Sequence, residues 1–155
     1  MANNFMQRAI DLALENVRYA KGGPFGAVIV RDEKIISEAS NSVTSSNDPT
    51  AHAEILAIRR ACKQLGVFQL TGCELYTSCE PCPMCLGAIY WARPDRFYFA
   101  ATAADASRVG FDDSFIYREI PLPPAQRKLA MIQLMPKEGL EPFLAWEKSS
   151  NRTPY

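Results

Sequence analysis

The chain has 155 residues, 48% of them apolar, and its 17 basic residues balance 17 acidic ones. This length predicts one domain with one core, and the balanced charge disfavours a nucleic-acid partner, which usually requires an excess of basic residues. We find no signal-peptide pattern, and the apolar runs are far shorter than the roughly 20 residues of a membrane helix, so we expect a cytoplasmic protein without a membrane partner.

The hydrophobic pattern divides the chain into alternating helical and extended segments. Apolar residues near helical spacing predict helices, and Asp32-Glu33 between two apolar runs predicts an antiparallel hairpin. In chain order, the first predicted elements are a helix from Asn3 or Asn4 to about Ala20, strands over 25–31 and 34–40, and a loop over 41–50. At the end of this loop, Asp48-Pro49-Thr50 opens a second helix that ends at Gly66. The remaining predicted elements are a strand over 73–78, a helix over 81–92, a strand over 96–101, a short helix over 103–109, a strand over 128–135 and a last helix from Pro142.

The order of these elements predicts an α/β fold. Strands interleaved with helices are typical of a three-layer α/β/α sandwich, here with a mixed sheet of about five strands. The fifth strand rests on the regular alternation of Leu129, Met131, Gln133 and Met135, which has the period of two expected of a strand.

Two short motifs carry candidate chemistry, and each falls at the start of a predicted helix. The first runs from His52, the only histidine of the chain, to Glu54, and the second includes Cys82 and Cys85 after Pro81. Cysteines three residues apart share one face of a helix, and the free amides of the helix N-terminus favour thiolates. Two thiolates and an imidazole suit zinc, and three protein ligands instead of four are typical of a catalytic zinc site.

Glu54 is close enough to His52 in sequence to share the site without coordinating the metal. A carboxylate there can accept a proton from water and return protons to a ring nitrogen and a leaving amine. The order His-x-Glu followed by Pro-Cys-x-x-Cys is the signature of zinc nucleobase deaminases. A redox pair or half of a structural zinc site is the alternative for Cys82 and Cys85, but a purely structural site has no use for Glu54.

The remaining three cysteines have simpler interpretations. Cys62 and Cys73 are predicted to be small buried residues. Cys79 could compete as a metal ligand, but three residues before Cys82 it would lie outside the helix.

With these motifs the chain resembles the cytidine deaminase superfamily, and within it most closely the bacterial guanine deaminase branch. The resemblance spans nearly the whole chain and implies a three-layer α/β/α enzyme that holds one zinc ion per chain. It rests on the segments Gly22-Gly23-Pro24-Phe25-Gly26-Ala27, 44–54, 76–85, 88–93 and Gly110-Phe111-Asp112-Asp113 and on the terminal tyrosine.

The resemblance also implies individual roles. His52, Cys82 and Cys85 are implied to hold the zinc, and Glu54 to be the general acid and base. Other implied roles are hydrogen bonding of the base by Asn41, stacking by Phe25, a pocket wall from Trp91, and closure of a partner's pocket by Tyr155. A turn for Asn41, core packing for Phe25 and Trp91, and disorder for Tyr155 are the alternatives.

Asp113 has a chemical argument of its own. Guanine presents N1–H and an amino group as donors, and a carboxylate accepts from both, whereas adenine presents an acceptor at N1. Loop capping is the alternative for Asp113.

These inferences predict zinc-dependent hydrolysis of guanine to xanthine and ammonia. The resemblance also implies a homodimer in which the segment of about 137–155 is exchanged between subunits. The alternatives are a guanosine or amino-triazine deaminase, a tRNA adenosine deaminase, and a zinc-stabilised binding protein without catalysis. The tRNA reading needs clustered basic residues, whereas the residues from Lys137 to the end balance in charge.

Overall fold

A computed structural model of the chain describes residues 2–155. Contacts divide it into two compact units, Met1–Asp113 and Ser114–Tyr155. The elements of the first unit are helices α1 (Ala2–Arg18), α2 (Val43–Ser46), α3 (Ala53–Leu65), α4 (Pro83–Ala92) and α5 (Ala103–Arg108), and strands β1 (Gly26–Arg31), β2 (Lys34–Ser40), β3 (Cys73–Cys79) and β4 (Arg96–Ala101).

The sheet of the first unit is mixed and has four strands in the order β2-β1-β3-β4. Strand β1 pairs antiparallel with both β2 and β3, while β3 and β4 are parallel. The hairpin between β1 and β2 turns through Asp32 and Glu33, whose φ angles of 49° and 58° are those of a turn that matches the strand twist. The predicted antiparallel hairpin is therefore confirmed.

Helices cover both faces of this sheet, because each buried strand is apolar on both sides. Ala27, Ile29 and Leu75 pack in a core with residues of α3 and α4. Val28 and Tyr76 point the other way and pack in a second core with α1. The predicted three-layer α/β/α class is confirmed, and the alternation along β3 places Thr77 and Cys79 on the same side as Leu75.

Most predicted boundaries agree with the structure, and those of β2 and β4 match fully. The start of α3 differs. The sequence predicts a helix from Asp48-Pro49-Thr50, but the Asp48 carboxylate instead accepts hydrogen bonds from the backbone N–H and the hydroxyl of Thr50, both within 2.8 Å. That local turn competes with the helix, which begins at Ala53. The predicted loop over 41–50 also contains the four-residue α2.

The prediction of a fifth strand over 128–135 is wrong. The segment has no strand conformation, and Leu129 and Leu134 are 81% and 79% exposed. A strand needs a neighbour that supplies hydrogen-bond partners, and an alternating pattern alone cannot supply one. The sheet therefore has four strands and not five.

The second unit, Ser114–Tyr155, is small and helical. Its elements are α6 (Ser114–Glu119), two 3-10 turns (Pro124–Gln126 and Glu138–Leu140) and α7 (Glu141–Lys148). None of residues 114–155 is buried, and large apolar side chains such as Phe143, at 72%, and Leu144, at 53%, are exposed. Helix α7 confirms the predicted last helix, whereas α6 was not predicted.

Across residues 2–155, each helix is too short or too polar to cross a membrane.

Candidate active site

The N-termini of α3 and α4 bring the candidate metal ligands together. His52 precedes the first residue of α3 in an extended conformation, with φ −71° and ψ 153°. Cys82 holds the same position before α4, with φ −65° and ψ 167°, and its sulfur accepts from the backbone N–H of Cys85. Pro83 opens α4, as expected of a residue that lacks the N–H a first turn leaves unpaired.

The distances between the three ligand atoms fit zinc. Nδ1 of His52 lies 3.5 Å from Sγ of Cys82 and 3.5 Å from Sγ of Cys85, and the three atoms lie within 4.8 Å of one another. A tetrahedral zinc with Zn–S near 2.3 Å and Zn–N near 2.0 Å requires a nitrogen-to-sulfur edge of about 3.5 Å. The metal-ligand group within residues 2–155 has these three members, which is the number of protein ligands typical of catalytic zinc.

Hydrogen bonds at the site favour a thiolate at Cys82. The Cys85 thiol and the His52 imidazole, both in hydrogen-bond contact with the Cys82 sulfur, lower the pKa of Cys82 to about 4. The same contact with Cys82 raises the pKa of His52. Zinc needs thiolates and a neutral imidazole, so binding of the ion releases the protons that these groups share.

Glu54 lies inside the site on the first turn of α3 and is only 5% exposed. Its Oε2 is 3.5 Å from Sγ of Cys85, and its Oε1 accepts a hydrogen bond of 3.1 Å from the Thr77 hydroxyl. Burial, the main cause, raises the pKa of the Glu54 carboxyl. A carboxyl that is close to the metal ligands, but outside the ligand group, is suited to carry protons.

Asn41 lies beside the segment that leads into α3. The backbone N–H of Ser42 donates to the carbonyl of Ala51, and Asn41 itself is 7% exposed. Its backbone N–H donates to the carbonyl of Phe25, while its Oδ1 accepts from the N–H of Val43 at 3.2 Å. The Asn41 side chain therefore still has its amide N–H groups to offer.

Phe25 lies in this region, and Asp113 lies two residues after Phe111, which contacts the Phe25 ring. The ring of Phe25 meets that of Phe111 edge to face, with centroids 4.9 Å apart, and packs against the α3 and α4 core. Asp113 is half-buried; burial first and the charge of Cys82 second raise the pKa of its carboxyl. The role of Asp113 at a substrate stays a prediction.

Trp91 and Tyr155 are not among the buried side chains of the site. Trp91 is 63% exposed on α4, and Tyr155 is 74% exposed at the end of the second unit. Their roles at a substrate stay predictions.

Cys79 lies outside the metal-ligand group, and its sulfur donates to the Thr102 carbonyl at 3.7 Å. Burial raises its pKa to about 11, which disfavours a thiolate ligand. Cys73 is fully buried, as predicted, whereas Cys62 is only partly so.

Thr77 is a site residue that sequence reasoning missed. It is 1% exposed, and its hydroxyl holds Glu54. The period of two along the predicted third strand could have identified it, because Thr77 is the polar position on a face shared with Leu75 and Cys79.

Comparison with known proteins agrees with this geometry. Residues 1–101 match the family described as the cytidine and deoxycytidylate deaminase zinc-binding region, and the chain belongs to this family. The protein is a zinc-dependent hydrolytic deaminase, and His52, Cys82 and Cys85 form a group that could hold the metal ion.

Within the family, the chain is similar to the guanine deaminase of Bacillus subtilis (strain 168). The two are 58% identical over 151 residues, which is 97% of this chain and 97% of that protein. The X-ray structure of guanine deaminase from Bacillus subtilis superposes with a TM-score of 0.96 at 57% identity and covers 99% of this chain and 98% of its own.

A second similarity is shorter. The tRNA-specific adenosine deaminase of Aquifex aeolicus (strain VF5) is 51% identical over 78 residues, which is 50% of this chain and 52% of that protein. The likeness to that enzyme thus covers half of each chain.

Proposed function

We propose that this protein hydrolyses guanine to xanthine and ammonia. One observation carries the proposal: the likeness to a guanine deaminase extends over 97% of both chains, well beyond the zinc-binding region of residues 1–101. The chemistry of the site agrees, because a buried carboxyl lies beside three zinc ligands at a helix N-terminus.

His52, Cys82 and Cys85 would hold the zinc ion, which would lower the pKa of a bound water to about 7. In the proposed mechanism, Glu54 accepts a proton from the attacking water and delivers it to the ring nitrogen next to C2 of guanine. A tetrahedral carbon forms at C2. Glu54 then passes the second water proton to the amino group, which leaves as ammonia. The balance is guanine plus water to xanthine plus ammonia.

Base recognition is assigned to side chains around the same site. Asn41 hydrogen-bonds the base, and Phe25, with Phe111 against its edge, contacts the ring. The Asp113 carboxylate accepts from the N1–H and amino group of guanine. Trp91 forms a wall of the pocket, and Tyr155 closes the pocket of a second copy of the chain, so that bulk water is kept from the flat base.

A substrate panel tests the proposal. Ammonia release is measured from guanine, guanosine, an amino-triazine, adenine and a tRNA anticodon stem-loop, on one sample whose zinc content is known. We expect guanine to have the highest kcat/KM. A higher kcat/KM for the stem-loop would instead favour tRNA adenosine deamination. Zinc-loaded protein that releases ammonia from none of the five compounds would favour a binding protein without catalysis.

Asp113 gives a sharper prediction about specificity. We expect Asp113→Asn to lower kcat/KM for guanine by about 10- to 100-fold, because an amide presents an N–H where the carboxylate accepts from guanine, leaving one guanine donor unpaired. Steady-state kinetics with thermal melting on the same samples measures this. The neighbouring substitution Asp112→Asn is the control, and equal kcat/KM in the two variants would remove Asp113 from the site.

We also propose that the protein is a homodimer acting in cytoplasmic purine metabolism, with a single deaminase domain over 1–155 completed by a second copy. Two sets of exposed apolar side chains support the dimer. Tyr90 and Trp91 on α4 are 75% and 63% exposed, and the apolar residues of 114–155 have no buried core of their own. Exchange of the segment 137–155 would cover such surfaces and bring Tyr155 to the partner's pocket.

Mixing two inactive variants tests this exchange. A chain with Glu54→Gln keeps its terminal tyrosine, while a chain lacking Tyr155 keeps its Glu54. If each terminus completes the partner's site, unfolding and refolding the mixture should restore about a quarter of the wild-type activity, because half of the dimers are mixed and have one complete site. Light scattering gives the oligomeric state. No gain on mixing, or a monomer, would contradict the exchange.

A further inference from the structure

Asn16 is a buried polar side chain on an otherwise apolar face of α1. It is 3% exposed, and its buried neighbours on the helix are Ala9, Leu12 and Ala13. A buried amide without partners is costly, so its hydrogen bonds explain its place there. Nδ2 of Asn16 donates to two backbone carbonyls, those of Gly23 and Asn41, each at 2.8 Å.

The two carbonyls belong to the two segments that flank the proposed base site. Gly23 lies two residues before Phe25, and Asn41 follows β2 directly. The segments are also joined by the hydrogen bond from the Asn41 N–H to the Phe25 carbonyl, at 3.0 Å. The backbone of Asn41 is therefore fixed at both polar groups, its N–H by Phe25 and its carbonyl by Asn16.

The space around these bonds is tightly filled. A Cβ placed on Gly22 would lie 2.4 Å from the Asn41 carbonyl oxygen and 3.0 Å from Nδ2 of Asn16. The Asn16 amide is in direct hydrogen-bond contact with the Asn41 carbonyl, at 2.8 Å, without an intervening water. Loss of the amide would remove the Asn16 donor from the Asn41 carbonyl, whereas the Gly23 carbonyl would keep the backbone N–H of Phe25 at 2.8 Å.

We propose that Asn16 is a positioning residue for recognition of the base: it holds the Gly23–Phe25 and Asn41 segments together so that the Phe25 ring and the Asn41 amide face the purine. This inference rests on the proposed function, in which Asn41 and Phe25 contact guanine. Asn16 itself touches neither the metal ligands nor Glu54, so its loss should affect binding of the base more than the chemical step.

A double-mutant cycle tests this role. Asn16→Leu removes both donors while it keeps the branching and the number of heavy atoms of the side chain, and Asn41→Ala removes the proposed contact with the base. We expect Asn16→Leu to raise KM for guanine by about tenfold, with kcat changed by less than about threefold and zinc content unchanged. In the Asn41→Ala background, Asn16→Leu should add a smaller effect, because Phe25 is then the only one of the two positioned groups that remains.

Arg8→Gln is the matched control on the same helix. It breaks the pair of hydrogen bonds from Arg8 to Glu38 on β2, at 2.8 and 2.6 Å, and so weakens the attachment of α1 without touching the base site. Melting curves ensure that all variants are assayed while folded. Asn16→Ser, which keeps one hydroxyl donor, replaces Asn16→Leu if the latter does not fold, and it should give a smaller rise in KM.

The outcomes separate the inference from the proposed function. The positioning role alone is overturned if Asn16→Leu and Arg8→Gln have equal KM values for guanine. It is also overturned if Asn16→Leu raises this KM by the same factor in the Asn41 and Asn41→Ala backgrounds. If Asn41→Ala itself leaves KM unchanged, the assignment of Asn41 to the base is wrong, and the role of Asn16 is lost with it.

Discussion

Replacement of Glu54 by glutamine is expected to lower kcat for guanine by about 100- to 10,000-fold, the range that a single general acid–base group contributes. The amide is nearly isosteric, so it can still accept from the Thr77 hydroxyl, which lies 3.1 Å from Oε1, and the buried packing is kept. It cannot carry a proton from water to the base. Ammonia release, zinc content and thermal melting are measured on one preparation, so that a loss of turnover can be distinguished from a loss of metal or of folding.

The matched control is Glu74→Gln on β3. Glu74 is partly buried and accepts a hydrogen bond from the Tyr76 hydroxyl, so this substitution also removes a carboxylate from a packed position. It lies outside the metal-ligand group, and we expect its kcat to stay near that of the parent. Zinc-loaded Glu54→Gln that turns over guanine at the parent rate would refute the assigned proton carrier.

Loss of a zinc ligand should have an effect at least as large. Cys85 is fully buried, and serine offers zinc a harder, weaker ligand in its place. We expect Cys85→Ser to lower zinc affinity by more than about 100-fold, beyond the 10- to 100-fold typical of changes around a metal ligand. Ammonia release should fall in proportion to the zinc retained, and elemental analysis beside the activity assay measures both.

Cys62→Ser is the control for this loss. Cys62 is a partly buried thiol on α3 that packs against the core and lies outside the metal-ligand group. We expect it to keep zinc and activity. Full activity of Cys85→Ser without bound metal would contradict the assignment of the zinc site.

The candidate site residues could be predicted from local sequence, whereas the contacts that surround them could not. His52, Glu54, Cys82 and Cys85 are fixed by short spacings at two helix starts, and chemistry restricts which residue types can fill them. The Asn16 and Thr77 contacts could not be predicted in the same way, because each joins segments more than 20 residues apart, at Asn41 and Glu54. The partner of Asn16 depends on how α1 packs against the end of β2, and the partner of Thr77 depends on how β3 packs against α3.

In the second unit, the sequence did not allow a correct prediction of secondary structure over 128–135. Alternation over 128–135 predicts which side chains share a face, but strand formation depends on a neighbouring edge that a pattern does not specify. The same residues leave an exposed apolar surface in the structure, at Leu129 and Ile132 among others. The alternation therefore identifies apolar side chains along the segment but not what they pack against.

The most direct test of the central claim is the fate of guanine in ¹⁸O-labelled water. Zinc-loaded protein should convert it to xanthine with one labelled oxygen at C2 and release ammonia in equal amount, because the attacking oxygen comes from water and the amino nitrogen leaves. Folded, zinc-loaded protein that yields neither ammonia nor labelled xanthine from guanine would contradict the account.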